Sequence, residues 1–161
     1  MNPFSSPVRP EIWEQSGEKV DAFLHFAGTA GSFAGITRFL RTKNPALRAY
    51  LVEPAGAAAL AGQNVTKPNH SIQGGGYSKT HLVHLDRSLV TDFLQVTDEA
   101  AIAAARALAA KEGILAGFSS GAHVSAALDL LASRESGATI AFLICDSGMK
   151  YLSTNLFQTH A

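Results

Sequence analysis

Cysteine is nearly missing from this chain: one, Cys145, occurs in 161 residues. That excludes an internal disulfide and a fold stapled by cross-links, and it suits a reducing compartment. Charge of one sign is missing too, since 13 Lys and Arg balance 13 Asp and Glu, for a formal net charge of +0. No basic excess points to nucleic acid and no charge run forms a tail. The longest apolar runs fall far short of a membrane span. The opening stretch, MNPFSSPVRPEIWEQ, has no basic region followed by an apolar one, so no secretory signal is expected there. His70, His81 and His84 lack metal-ligand spacing on a regular element, and no metal is expected. A cytoplasmic protein with neither nucleic acid nor membrane as partner is the expectation.

What is present suits one packed domain. Hydrophobic residues make up 47% and charged residues 16%, enough for a core at this length. Residues 1–10, with three prolines and two serines, read as a flexible lead-in, and 11–161 as a single domain. EIWEQSGEK (11–19) reads as a short helix ended by Gly17. Strands are expected at VDAFLHF (20–26), RAYLVEP (48–54), DFLQVT (92–97) and ATIAFLICD (138–146). Helices are expected from Gly31 to Thr42 and from Asp98 to Glu112, the second capped by Thr97 and ended by Gly113. A short helix reads at 55–62, a long functional loop at 63–91, and a further helix behind Ser119 or Ser120 with Val124, Ala127, Leu128 and Leu131 on one face. Strands alternate with helices and no tight hairpin joins two of them, which is the pattern of an α/β fold with a parallel sheet.

Two turns are built from small residues. GTAGS (28–32) lies between a strand and a helix N-terminus. Open N–H groups and the helix dipole make such a turn an anion site, and small side chains let a phosphate approach. The spacing is neither that of the dinucleotide fingerprint nor that of a P-loop. A tight turn with close packing explains the same residues without a ligand. FSSGAH (118–123) also opens a helix, where Ser119 and Ser120 suit capping. QGGGY (73–77) suits a flexible turn or a close approach of backbone to ligand equally well.

Taken in order, GTAGSFAGI, VEPAG, IQGGGY, EGILAGFSSGA and CDSGMKYLST resemble the C-terminal half of the cysteine synthase and cystathionine β-synthase family, pyridoxal-phosphate enzymes of fold type II. The resemblance runs from about Arg9 to Phe157. It implies a Rossmann-like three-layer fold, a mostly parallel sheet with flanking helices, like the large domain of that family. It implies that 11–161 forms a pyridoxal-phosphate-binding domain. Gly28, Thr29, Ala30, Gly31 and Ser32 match the loop that holds the cofactor phosphate. Ala30 stands where glycine is commoner, which calls for a negative φ there. Ser119 matches the serine that meets the pyridine nitrogen. Gly74, Gly76 and Tyr77 match the substrate side of the pocket.

The resemblance also implies what is absent. The family's cofactor-linking lysine lies in its N-terminal half, and none of Lys19, Lys43, Lys67, Lys79, Lys111 and Lys150 has that context. No catalytic residue is assigned, and Lys79 is the lysine nearest the expected site. His25 reads as a hydrogen-bonded core residue, His123 as surface or supporting, Cys145 as buried, and Asp146 as a turn residue or one that orders the site. The implied activity is β-replacement or β-elimination on serine, O-acetylserine or a related amino acid, with this chain supplying the phosphate cradle and the ring-nitrogen contact. A non-catalytic binding or regulatory module and an inactive truncated fragment stand as alternatives. An unpaired sheet edge, with uncovered apolar surface near Phe33, Phe39 and Leu40, implies a homodimer or a separate N-terminal half as partner.

Overall fold

The computed structural model describes residues 8–158. Four parallel strands stand in the order β3-β2-β1-β4: β1 Ala22–Phe26, β2 Arg48–Pro54, β3 Asp92–Val96 and β4 Ile140–Ala141. Four α-helices accompany them: α1 Val8–Gln15, α2 Gly31–Lys43, α3 Asp98–Glu112 and α4 Phe118–Ala132. The sheet is buried on both faces, so its central strands carry near-continuous apolar runs rather than alternating ones. Ala22, Leu24, Phe26, Tyr50 and Val52 meet α3 and α4 on one side. Phe23, Ala49 and Leu51 meet Phe33, Ile36 and Leu40 of α2 on the other. Each fully buried aromatic or leucine contributes about 2 kcal/mol. The result is the mostly parallel three-layer α/β arrangement expected from the sequence.

Local chemistry sets most boundaries. Thr97 accepts the Ala100 N–H at 3.1 Å and opens α3, and Gly113, at φ 70°, closes it. Gly121 of α4 lies against α3 so closely that a β-carbon would strike the Ala101 carbonyl and press on Ala105 at 2.9 Å. At the amino ends of the strands, Arg48 makes a two-pronged ion pair with buried Glu135 at 2.5 Å on each arm, and the Tyr50 hydroxyl donates to the same carboxylate. Arg134 adds a bond to Asp92 at 2.7 Å and lies over the Tyr50 ring.

Several expectations need correction. Of the lead-in, residues 1–7 lie outside the described residues, while Val8, Arg9 and Pro10 open α1. Pro10 sits in the first turn, where its missing N–H costs no helical bond. The stretch 55–62 is a chain of turns, not a helix. Gly56 and Gly62 are left-handed, and the Glu53 carboxylate takes the Leu60 and Ala61 N–H groups at 2.9 Å each. The buried face of α4 is Ala122, His123, Ala126, Ala127 and Leu130; Leu128 is 59% exposed. Small side chains won that face because they allow contact with the alanine-rich α3. Gly117, not a serine, is the N-cap of α4. Phe33 and Leu40 are fully covered and Phe39 is half-buried, since α1 and the segment near Leu89 pack over them.

The fourth strand is the largest departure. It keeps two residues of the expected nine, pairing Ala22 with Ile140 and Phe23 with Ala141. Beyond that point the His123 ring enters between the strands. Its Nε2 accepts the Phe26 N–H at 2.6 Å and its Nδ1 donates to the Leu143 carbonyl at 2.8 Å. One imidazole therefore replaces the ladder bonds that a longer β4 would have made. His123 is wholly buried, which rules out the surface place offered as one of its two readings.

Candidate functional site

The N-termini of α2 and α4, the end of β1, the loop at 73–77 and the segment after β4 border a cavity of about 400 Å³. This is where ligands collect in open α/β sheets. The first wall is the turn from β1 to α2. Gly28, Thr29, Ala30, Gly31 and Ser32 all line it. The Gly28 amide turns back to the Phe26 carbonyl at 3.0 Å, and the first helical bond runs from Ala34 to Ala30. Between them, the N–H groups of residues 29–33 find no acceptor among the described residues. Five open amides at the positive end of a 13-residue helix, with the hydroxyls of Thr29 and Ser32 beside them, form an anion-binding donor set.

Ala30 stands at φ 65°, ψ 5°, in the left-handed region, and the negative φ expected of it is not kept. The turn must reverse there to aim its amides into the cavity. For a residue with a β-carbon that costs roughly 1–2 kcal/mol. Gly28 needs its lack of side chain: a β-carbon would sit 3.1 Å from the Gly74 carbonyl.

The opposite wall comes from the start of α4 and the segment after β4. Ser119, Cys145, Asp146, Lys150 and Tyr151 border the cavity there. Tyr151 donates its hydroxyl to Asp146 at 2.6 Å, and burial, then this contact, pushes its own pKa up to about 12. Lys150 lies 3.8 Å from the same carboxylate. Cys145 is exposed rather than buried, because the chain has left the ladder before reaching it. Its backbone N–H donates to the Ser120 hydroxyl at 3.3 Å. Its thiol pKa is raised by desolvation, which a bond with Ser119 partly offsets.

The glycine loop closes the rim. Gly74 and Tyr77 border the cavity, with Gln73. Gly76 lies behind them: its N–H donates to Ala27 at 2.9 Å, its carbonyl meets His70 Nε2 at 2.8 Å, and a β-carbon would collide with Pro54. Lys79 is exposed on this loop and does not line the cavity; Lys150 is the lysine that does. A larger hollow of about 540 Å³ lies on the far side of the α2 start, between Val8, Ala34, Val83 and Leu143. It shares Gly31 and Ser32 with the first but has neither Ser119 nor Thr29, so the smaller cavity is the better candidate.

Sequence reading found the loop and Ser119 but not His25, Lys150 or Tyr151. His25 lines the cavity from the end of β1, and burial lowers its pKa to about 4. The signal that could have found His25 is positional, since it lies at the carboxyl end of a parallel strand; Lys150 and Tyr151 reach the cavity from a turn well past β4.

A family model described as "Pyridoxal-phosphate dependent enzyme" matches residues 6–146. Cysteine synthase A of Escherichia coli (strain K12) is 41% identical over 98% of this chain and 53% of its own length. The O-acetylserine dependent cystathionine beta-synthase of Bacillus subtilis (strain 168) is 34% identical over 98% of this chain and 51% of its own. Among solved structures, the cysteine synthase of Entamoeba histolytica superposes with a TM-score of 0.86 at 29% identity, covering 98% of this chain and 48% of that one. The chain thus spans about half the length of the curated relatives it matches.

Proposed function

The chain belongs to the pyridoxal-phosphate dependent enzyme family, and from that premise we propose that it is the cofactor-holding half of a cysteine-synthase-like enzyme. The substrate class is serine, O-acetylserine or a related amino acid with a leaving group on its β-carbon. One observation carries the reading: the five partnerless amides of residues 29–33 share one cavity with Ser119. An anion held by the first and a ring held by the second is the outline of pyridoxal phosphate.

Residues Gly28 to Ser32 would hold the phosphate, through backbone N–H groups and the hydroxyls of Thr29 and Ser32. Ser119 would meet the ring nitrogen with a neutral hydroxyl, so no carboxylate fixes a proton there. When bound, the cofactor supplies an electron-withdrawing ring that lets an amino acid lose its β-substituent and accept a nucleophile in its place. Gly74 and Tyr77 would flank the substrate, with Gly76 bracing the loop from behind. Asp146, tied to Tyr151 and near Lys150, orders the wall beside Ser119. Lys150 is well exposed, with 66% of its side chain open to solvent, and is not placed as a buried proton shuttle.

A lysine that links the cofactor would come with the other half of the fold, whether on a partner or on the same polypeptide. The outer edge of β4 supports this. Among the described residues no strand lies beyond β4, and Ile144, just past it, is 43% exposed. An unpaired apolar edge is a template for another chain. A homodimer through the same edge is the competing arrangement.

The test is titration of the full chain with pyridoxal phosphate, followed by absorbance and fluorescence. Saturable binding supports the cradle, and no binding at millimolar cofactor refutes it. Cysteine formation from O-acetylserine and sulfide is expected only after a lysine-bearing half is added; turnover by the chain alone overturns the division of labour.

A further inference from the structure

His25 is the penultimate residue of β1. Ala22, Leu24 and Phe26 point into one core and Phe23 into the other. His25 shares the side of Phe23 but sits where the strand runs out, so it borders the cavity instead of the core. Its ring is clamped. It stands edge-on to Phe23, with centroids 6.1 Å apart, and edge-on to His123 at 5.4 Å.

The ring has nothing to bond to. Nδ1 is buried without a partner, and Nε2 makes no hydrogen bond among the described residues. His123 cannot help, because both its nitrogens are spent on Phe26 and Leu143. A neutral imidazole always has one N–H donor and one acceptor. Placing the proton on Nδ1 would orphan a donor inside the protein. Placing it on Nε2 leaves only an empty acceptor behind and puts the N–H toward the cavity. The Nε2–H is then a donor without an acceptor in a cavity wall, and such a donor is a place for a ligand's acceptor atom.

We propose that His25 is a ligand-contacting residue of this site, donating from Nε2–H to an acceptor atom of bound pyridoxal phosphate. The inference rests on the cofactor reading above. A neutral donor suits the role: it adds a directional bond without adding charge to the five amides already facing the anion. Desolvation keeps the ring neutral through the physiological range.

The test uses the full chain, labelled with ¹⁵N. Imidazole ¹H–¹⁵N spectra should show His25 as the Nε2–H form and His123 as the Nδ1–H form. Added pyridoxal phosphate should shift the His25 Nε2 resonance and leave the His123 form unchanged. In parallel, His25→Phe should weaken cofactor binding about tenfold, roughly the worth of one hydrogen bond, and His25→Gln should restore most of it. If His25→Phe fails to give a cooperative melt, the wild-type spectra decide alone. Binding by the wild-type chain with an unmoved His25 resonance overturns this inference and leaves the cofactor reading standing. No binding by the wild-type chain overturns that reading, and this inference with it.

Discussion

The two ends of the sheet treat their polar groups in opposite ways. At the amino ends of the strands, charge is consumed locally: Arg48 and Tyr50 bond Glu135, and Arg134 bonds Asp92 while lying over the Tyr50 ring. At the carboxyl ends, groups are left open. The amides of residues 29–33, Nδ1 of His25 and Oδ1 of Asp146 have no partner among the described residues. A fold built only for stability would close both ends, since each buried group without a partner costs about 1–3 kcal/mol. The asymmetry teaches where the molecule gives up stability, and that place is the cavity.

Acid should separate the two ends most strongly. His123 is held down to about 3 by burial, with neighbouring His25 adding to the effect, whereas a free histidine titrates near 6.5. Its folded pKa is lowered, so the unfolded chain binds the extra proton. The stability it contributes is complete above 6.5 and drains away as pH falls toward 3, by several kcal/mol in the limit. Glu135 is lowered by Arg48, and its contribution is lost only below the ordinary carboxylate value of 4.5. Hydrogen exchange between pH 6.5 and 4.5 should thus show the Phe26 amide losing protection while Tyr50 and its neighbours keep theirs. Simultaneous loss at both ends would break the comparison.

A carboxylate placed in the open turn should come next. Gly31 has a backbone φ that any residue adopts, and an added β-carbon meets only ordinary contacts at 3.7 Å. Gly31→Asp should fold normally yet bind pyridoxal phosphate about 100-fold more weakly, or roughly 2.7 kcal/mol. Glu135→Gln is its mirror image at the closed end. It should lower stability by about 2 kcal/mol in a urea melt and leave cofactor affinity unchanged. The smallest effect should come from Ala30→Gly, which relieves the left-handed alanine and should stabilise the fold by about 1 kcal/mol. A destabilised Ala30→Gly chain would mean the turn is not strained.

The same contrast explains what could be read from the sequence. β2 and α3 fall where expected, because their signals are local: Thr97 and Gly113 are written beside the helix they bound. The turn at 28–32 is legible for the same reason, as small residues between a strand and a helix. The shortness of β4 is not local. It is decided by a bond from Phe26 to His123, 97 residues away. The apolar run at 138–146 reads as strand because nothing within it announces the ring that splits it from β1. His25, Lys150 and Tyr151 were missed likewise, since only the folded sheet brings them to the cavity. The α4 face differs from the one marked by Val124, Leu128 and Leu131 because Gly121 lets the helix approach α3 through the small Ala122 and Ala126.

The His123 crossing has a consequence in time as well as in space. β1, β2 and β3 all precede α4 in the chain and can pair before it has been made. The β1 edge that faces the cavity has to wait for α4 and the segment ending at Leu143. Closing so long a loop is entropically slow, and contacts of this separation form late. The cavity wall therefore matures after the three strands it is built on, and a bound ligand would report that α4 has docked.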